Sequence, residues 1–164
     1  MRRIETERLV LRPFRADDWK DFQALGIDWK AAPGPAFDKW GTSAEAAKES
    51  VTHMSTRDNY VAMCLCGSDK VVGLLAINGM DAKKKLDLGH VILSSYQDND
   101  HDREALEAMI QHCFDAQGGL SIITNNAPEH AAQVAPLKAL GFTNVNPENK
   151  GELVITKAQW ERRQ

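Results

Sequence analysis

Cysteine is scarce. Cys64, Cys66 and Cys113 are the only three, an odd count with no CxxC spacing, which disfavours both a disulfide framework and a structural zinc site. The thiols are expected to be buried and inert. A nucleophilic Cys113 beside His112 is the sharper alternative, but adjacent helical positions point about 100° apart, so the two side chains do not naturally meet. Long apolar runs are missing too. The opening MRRIETERLVLRPF has arginines without an apolar stretch behind them, so it reads as neither a secretory signal nor a membrane anchor, and a cytoplasmic location is the default. A basic excess is also lacking: the formal net charge is -3, and the one cationic run, Lys83 to Lys85, is short, which argues against a general nucleic-acid binder. No internal repeat or low-complexity segment occurs. What remains, 43% hydrophobic and 26% charged residues in 164, is ordinary for a soluble globular chain, and the length suits a single domain over residues 1–164.

Along the chain, Leu9 to Arg15 alternates well enough for a first strand, with Pro13 marking an edge or strand end. Ala16-Asp17-Asp18 places acids at the start of a short helix carrying Trp19, Phe22 and Leu25, which is expected to end at Gly26. Asp28 to Trp40 holds Pro33-Gly34-Pro35 and no period, and reads as a loop whose Trp29, Phe37 and Trp40 either close the core or line a substrate cleft. Thr42 and Glu45 have the spacing of a capping box for a second helix with Ala47, Val51 and Met54 on one face. Tyr60 to Cys66, Val71 to Asn78 and Leu86 to Ser94, joined by polar turns, form an antiparallel meander.

The topology then changes. A strand, the helix Arg103 to Gln117 and a second apolar run at Leu120 to Ile123 spell a crossover that makes the two strands parallel. Leu106, Met109, Ile110, Cys113 and Phe114 mark the core stripe of that helix. A further helix is expected with Asn126 as cap and Pro128 in its first turn, running to Leu140 with Gly141 at its end and a kink or break at Pro136. A last strand, Glu152 to Ile155, precedes a terminal helix opened by a capping box at Thr156 and Gln159.

The stretch Leu86 to Phe114 is the informative one. Strand, polar loop and amphipathic helix in succession present helix amides to an anionic ligand. Where a phosphate-cradling turn is expected to carry glycines, Gln97 to Arg103 instead carries three aspartates at alternate positions, Asp98, Asp100 and Asp102. A calcium loop is a poor alternative, because an EF-hand also needs a glycine and a glutamate where this sequence has Arg103 and Met109. No metal site is expected.

The phrases IETERLVLRPF, VVGLLAI, LDLGHVIL, EAL and LKALGF, in this order, resemble the GCN5-related N-acetyltransferase family, and within it the ribosomal-protein-alanine acetyltransferase branch. The likeness covers nearly the whole chain. It implies an α+β fold with a mixed, mostly antiparallel sheet flanked by helices and splayed between its fourth and fifth strands. It further implies acetyl-CoA as acyl donor, its pantetheine arm pairing with the backbone of Val91, Ile92 and Leu93, where an amide would polarise the thioester carbonyl. The loop residues Gln97, Asp98, Asn99, Asp100, His101, Asp102 and Arg103 would lie at the diphosphate. An amine of a small molecule or of a protein N-terminus would attack directly, so the protein mainly positions the reactants and removes a proton.

This sequence departs from the family pattern at chemically important places. The family's loop runs roughly Q/R-x-x-G-x-G/A, and carboxylates aimed at a diphosphate would be strongly unfavourable. Backbone amides can still bind if the side chains turn away, with Asp102 as N-cap. The family's N-x-x-S helix signature is matched by His130 and Gln133, and its frequent tyrosine acid by Leu137, leaving His130, Tyr96 or water to protonate the leaving thiolate. Asp87 and His90 stand where related enzymes often have a glutamate and a tyrosine, and alternation puts them on opposite faces. Asp87, His90 and His130 are therefore the catalytic candidates. A structural His90 is the plainer reading. The competing reading of the whole chain is a non-catalytic binding or regulatory module with a degenerate loop. Oligomeric state stays open, a homodimer included.

Overall fold

The computed structural model describes residues 2–36 and 39–163, and only the backbone of Asp98 and Asn99. Phe37 and the side chains of Asp98 and Asn99 therefore lie outside the described residues. One eight-stranded sheet organises the chain, in the order β1-β2-β3-β4-β5-β6-β8-β7. Its strands are β1 (Ile4–Glu5), β2 (Leu9–Pro13), β3 (Tyr60–Leu65), β4 (Val71–Met80), β5 (Lys85–Ile92), β6 (Ser121–Asn125), β7 (Thr143–Asn144) and β8 (Glu152–Thr156). The helices are α1 (Trp19–Ala31), α2 (Ala44–Ser55), α3 (His101–Asp115), α4 (Ala131–Ala139) and α5 (Lys157–Glu161).

Both faces of the sheet are covered, and the period of two along each strand sorts residues between them. Leu9, Leu11, Val61, Met63, Leu86, Leu88 and Ile92 join Leu106, Met109, Ile110 and Phe114 of α3 in one core. Val10, Ala62 and Cys64 turn to the other face and pack with Phe22 and Leu25 of α1 and Val51 of α2. The meander and the α3 stripe thus form as their periodicity implies.

Several boundaries differ from expectation, each for a local reason. Helix α1 does not stop at Gly26. It runs to Ala31, because Gly26 packs under Trp40: a Cβ there would lie 2.5 Å from the indole nitrogen. Trp29 is consequently a buried helical residue on the same face as Phe22, Leu25 and Gly26, not a loop residue. The cap of α2 is Ser43, whose hydroxyl accepts from the Ala46 amide at 3.1 Å, rather than Thr42. Asn126 does not cap α4. Its backbone and side-chain amides both donate to the Gly151 carbonyl, at 3.0 and 3.3 Å, which holds it beside β8. The helix begins only at Ala131, so it runs unbroken through Pro136 and forfeits the single bond that proline cannot donate, to the Ala132 carbonyl. The capping box at Thr156 and Gln159 is present.

Cys64 and Cys113 are buried, and burial pushes each thiol up to about 12. Cys66 is exposed, contrary to expectation, because it follows the last paired residue of β3. No helix among the described residues is long and apolar enough to cross a membrane.

Candidate active site

The sheet opens between β5 and β6. The two strands pair in parallel only from Lys85 to Asp87 against Ser121 to Ile123, and beyond Asp87 they diverge with α4 standing across the gap. On its other side β5 is bonded to β4, and the Leu93 amide donates to the Val72 carbonyl at 2.8 Å. Antiparallel alternation then commits the backbone of Val91 to β4 as well, and turns the backbone groups of His90 and Ile92 toward the opening. Of Val91, Ile92 and Leu93, Ile92 alone presents its backbone there.

Three cavities run end to end along this edge. The first, about 300 Å³, is lined by Trp29, Trp40, Ala76, Asn78, Val91, Asn125 and Gln133. The second, about 470 Å³, shares Trp29 and Pro33 with it and adds Asp28, Ile92, Ser94, Gln97, Glu129 and His130. The third, about 260 Å³, shares Gln97 and Ala132 with the second and reaches Asp100, Arg103 and Pro136. Together they make a trough from the α1 side of the sheet to the N-terminus of α3.

The two loop aspartates whose side chains are described, Asp100 and Asp102, differ in direction. Ser94 to Asn99 forms a 3-10 turn, and Asp100 follows with φ 59°, the left-handed region that favours glycine. Asp100 thus adopts the backbone conformation a glycine would supply, and its carboxylate lies 3.3 Å from the Arg103 guanidinium. Asp102 is not the N-cap. It sits inside the first turn of α3, 2% exposed, with Oδ2 3.4 Å from Nε2 of His90. The residue that precedes the helix is Asp100, and it makes no side-chain cap bond.

His90 is 4% exposed and shares its sheet face with Leu88 and Ile92. Its Nε2 also donates to the Gln133 carbonyl at 3.2 Å, while the Gln133 side-chain amide donates to the His90 carbonyl at 2.7 Å. Both neighbours of Nε2 are acceptors, which fixes the proton there. His90 Nδ1 and Asp102 Oδ1 are buried without a hydrogen-bond partner. The arrangement is a strut joining α3, β5 and α4 at the edge of the gap. Asp87 lies on the opposite face, as alternation requires, and accepts from Asn78 Nδ2 at 3.3 Å.

His130 precedes α4 and stacks on Trp29, ring centroids 5.4 Å apart. Burial pulls its pKa below the ordinary histidine value; the Gln133 hydrogen bond opposes this, and the Lys39 charge adds to it. The net shift favours the uncharged imidazole at neutral pH. Asp28, near the end of α1, accepts from the Ser94 amide at 2.8 Å and hydroxyl at 2.7 Å, fastening α1 to the end of β5. Of the catalytic candidates, His130 lines the central cavity, His90 lines the first cavity while its ring bonds into the strut, and Asp87 stands one hydrogen bond behind it. Asn78 and Asp28, which line the cavities, carry no signal in the sequence, whereas Gln133 stands at the second position of the N-x-x-S match.

The sequence matches the family model described as an acetyltransferase (GNAT) domain over residues 8–143. The chain belongs to the GNAT acetyltransferase family. Solved GNAT structures share its fold. An acetyltransferase from Bacillus anthracis superposes with a TM-score of 0.82 at 16% identity, covering 96% of this chain and 99% of that one. A ribosomal-protein-S5-alanine acetyltransferase from Vibrio fischeri gives 0.75 at 16% identity, with 98% and 99% covered. A spermidine/spermine N-acetyltransferase from Vibrio cholerae gives 0.73 at 14%, with 96% and 99% covered. No curated protein matches the sequence. The GNAT chemistry is acyl-CoA-dependent acetylation of an amine.

Proposed function

We propose that the trough along β5 holds acetyl-CoA and that the cavity under Trp29 and Trp40 receives the acceptor amine. The open backbone of Ile92, facing a gap walled by α4, carries this reading. Pantetheine amides would add to that edge as a strand does, and the Ile92 N–H would polarise the acyl carbonyl. Gln133 already occupies the His90 carbonyl, so the arm's pairing begins at Ile92. Across the gap, Pro136 frees the Ala132 carbonyl to accept an amide N–H. The diphosphate would meet the first amides of α3, where the helix dipole favours anions, with Arg103 as the nearby cation.

His130 takes the proton from the acceptor, since burial keeps it neutral and it lines the central cavity. Asp87 acts through Asn78 on the acceptor side. His90 and Asp102 support the site from α3. The first cavity has no carboxylate among its described lining residues, which favours a monoamine or a protein N-terminus over a polyamine. The alternative of a non-catalytic module rests on the aspartate loop together with the missing serine and tyrosine equivalents; the inward position of Asp102 and the left-handed backbone of Asp100 count against the first of these grounds.

The test is thiol release from acetyl-CoA with an N-terminal-alanine peptide and with spermidine. Amine-dependent release is expected, larger with the peptide, and His130→Asn should lower kcat by about 10²- to 10⁴-fold. Release from neither amine would overturn the proposal.

A further inference from the structure

An ammonium group already stands beside the junction of the first two cavities. Lys39 Nζ lies 3.7 Å from the centroid of the Trp29 indole. It donates to the Ala32 carbonyl at 3.0 Å and lies 3.4 Å from that of Pro33. An aromatic face with two carbonyls is a natural cradle for an alkylammonium. Trp29 and Pro33 line both cavities, and a Cβ on Gly34, a wall residue of the first, would come within 3.7 Å of the same Nζ. On Trp29 also stacks His130, the neutral imidazole of the second cavity.

We propose that Lys39 is an internal acceptor, and that the protein acetylates its own Lys39 Nζ. The inference rests on the acyl-CoA reading above. The Lys39 ammonium gives one proton to His130, which passes it to solvent. The amine lone pair then forms the N–C bond to the acyl carbon, the C–S bond breaks, and the sulfur leaves with the electron pair and takes up the second proton from nitrogen. The products are acetyl-lysine and the free thiol. Acetylation removes the charge that the indole and carbonyls hold, so the segment after α1 loses this anchor.

The test incubates the full chain with acetyl-CoA and follows intact mass and peptide mapping. One added acetyl group at Lys39 is expected, at a rate that saturates with acetyl-CoA and does not depend on protein concentration. Lys39→Arg should abolish it, and His130→Asn should slow it by about 10²-fold or more. Exposed Lys48 reports the uncatalysed background. If acetyl-CoA binds and added amines are acetylated, yet Lys39 is modified no faster than Lys48, the inference alone fails. A rate proportional to protein concentration also overturns it, since the transfer would then pass between molecules. If acetyl-CoA does not bind at all, the reading on which it rests fails with it.

Discussion

Asp102 points away from the trough and into the protein, its Oδ2 3.4 Å from Nε2 of His90. A residue that reads from sequence as an obstacle to a diphosphate is instead part of the strut holding α3 against β5. Removing it should therefore weaken the fold without relieving any repulsion. Asp102→Ala is expected to lower the free energy of unfolding by about 1–3 kcal/mol, as loss of a buried polar partner does, and not to tighten acetyl-CoA binding. Urea unfolding and calorimetry on the same preparation test both halves.

Asp100 behaves differently, because its carboxylate stays exposed beside the third cavity. Asp100→Gly keeps the left-handed backbone at lower steric cost and removes a negative charge. Affinity for acetyl-CoA is expected to rise a few-fold at low ionic strength and the gain to shrink as salt screens the loop. A titration series in increasing sodium chloride measures this.

A second buried charge cluster joins β2 to the start of α1. Arg12, 3% exposed, makes two 2.8 Å bonds to Asp18 and one of 3.0 Å to Asp69. Asp18→Ala would leave the guanidinium buried with only part of its partners and is expected to cost about 3–5 kcal/mol. Chemical denaturation detects a loss of that size easily.

Glu104 links the start of α3 to the β1–β2 turn, accepting from the Thr6 hydroxyl and from the Arg8 amide at 2.7 Å and guanidinium at 2.6 Å. Burial raises its pKa, but these three donors together outweigh burial and bring it below the ordinary glutamate value of 4.5. A carboxyl depressed on folding contributes stability above its unfolded pKa and loses it as pH falls through the folded one. The melting temperature should therefore drop on acidification below about 4.5, and Glu104→Gln should lower it at neutral pH while making it less sensitive to acid. Thermal melts across pH 3 to 7 compare the two proteins.

What the sequence disclosed followed its periodicity. The α3 stripe of Leu106, Met109, Ile110 and Phe114, the meander and the Thr156 cap all depend on residues near each other in the chain. What stayed hidden depended on distant partners. Gly26 reads as a helix stop until Trp40 is seen packed on it, and Asn126 reads as a helix cap until Gly151 claims its amides. The direction of Asp102 is set by His90, on another element, and the clasp between Gln133 and His90 joins residues far apart in sequence. His130 stands out in the sequence only as a match to the N-x-x-S signature; its stacking on Trp29 was not legible, since α1 had to continue past Gly26 to bring the indole there.

Calorimetric titration of the unmodified protein with acetyl-CoA tests the central claim, that the trough accepts the cofactor despite the aspartates. Saturable binding of one molecule per chain, with Asp102→Ala binding no more tightly, is expected. No heat of binding at millimolar acetyl-CoA, or an Asp102→Ala protein that binds where the parent does not, would contradict it.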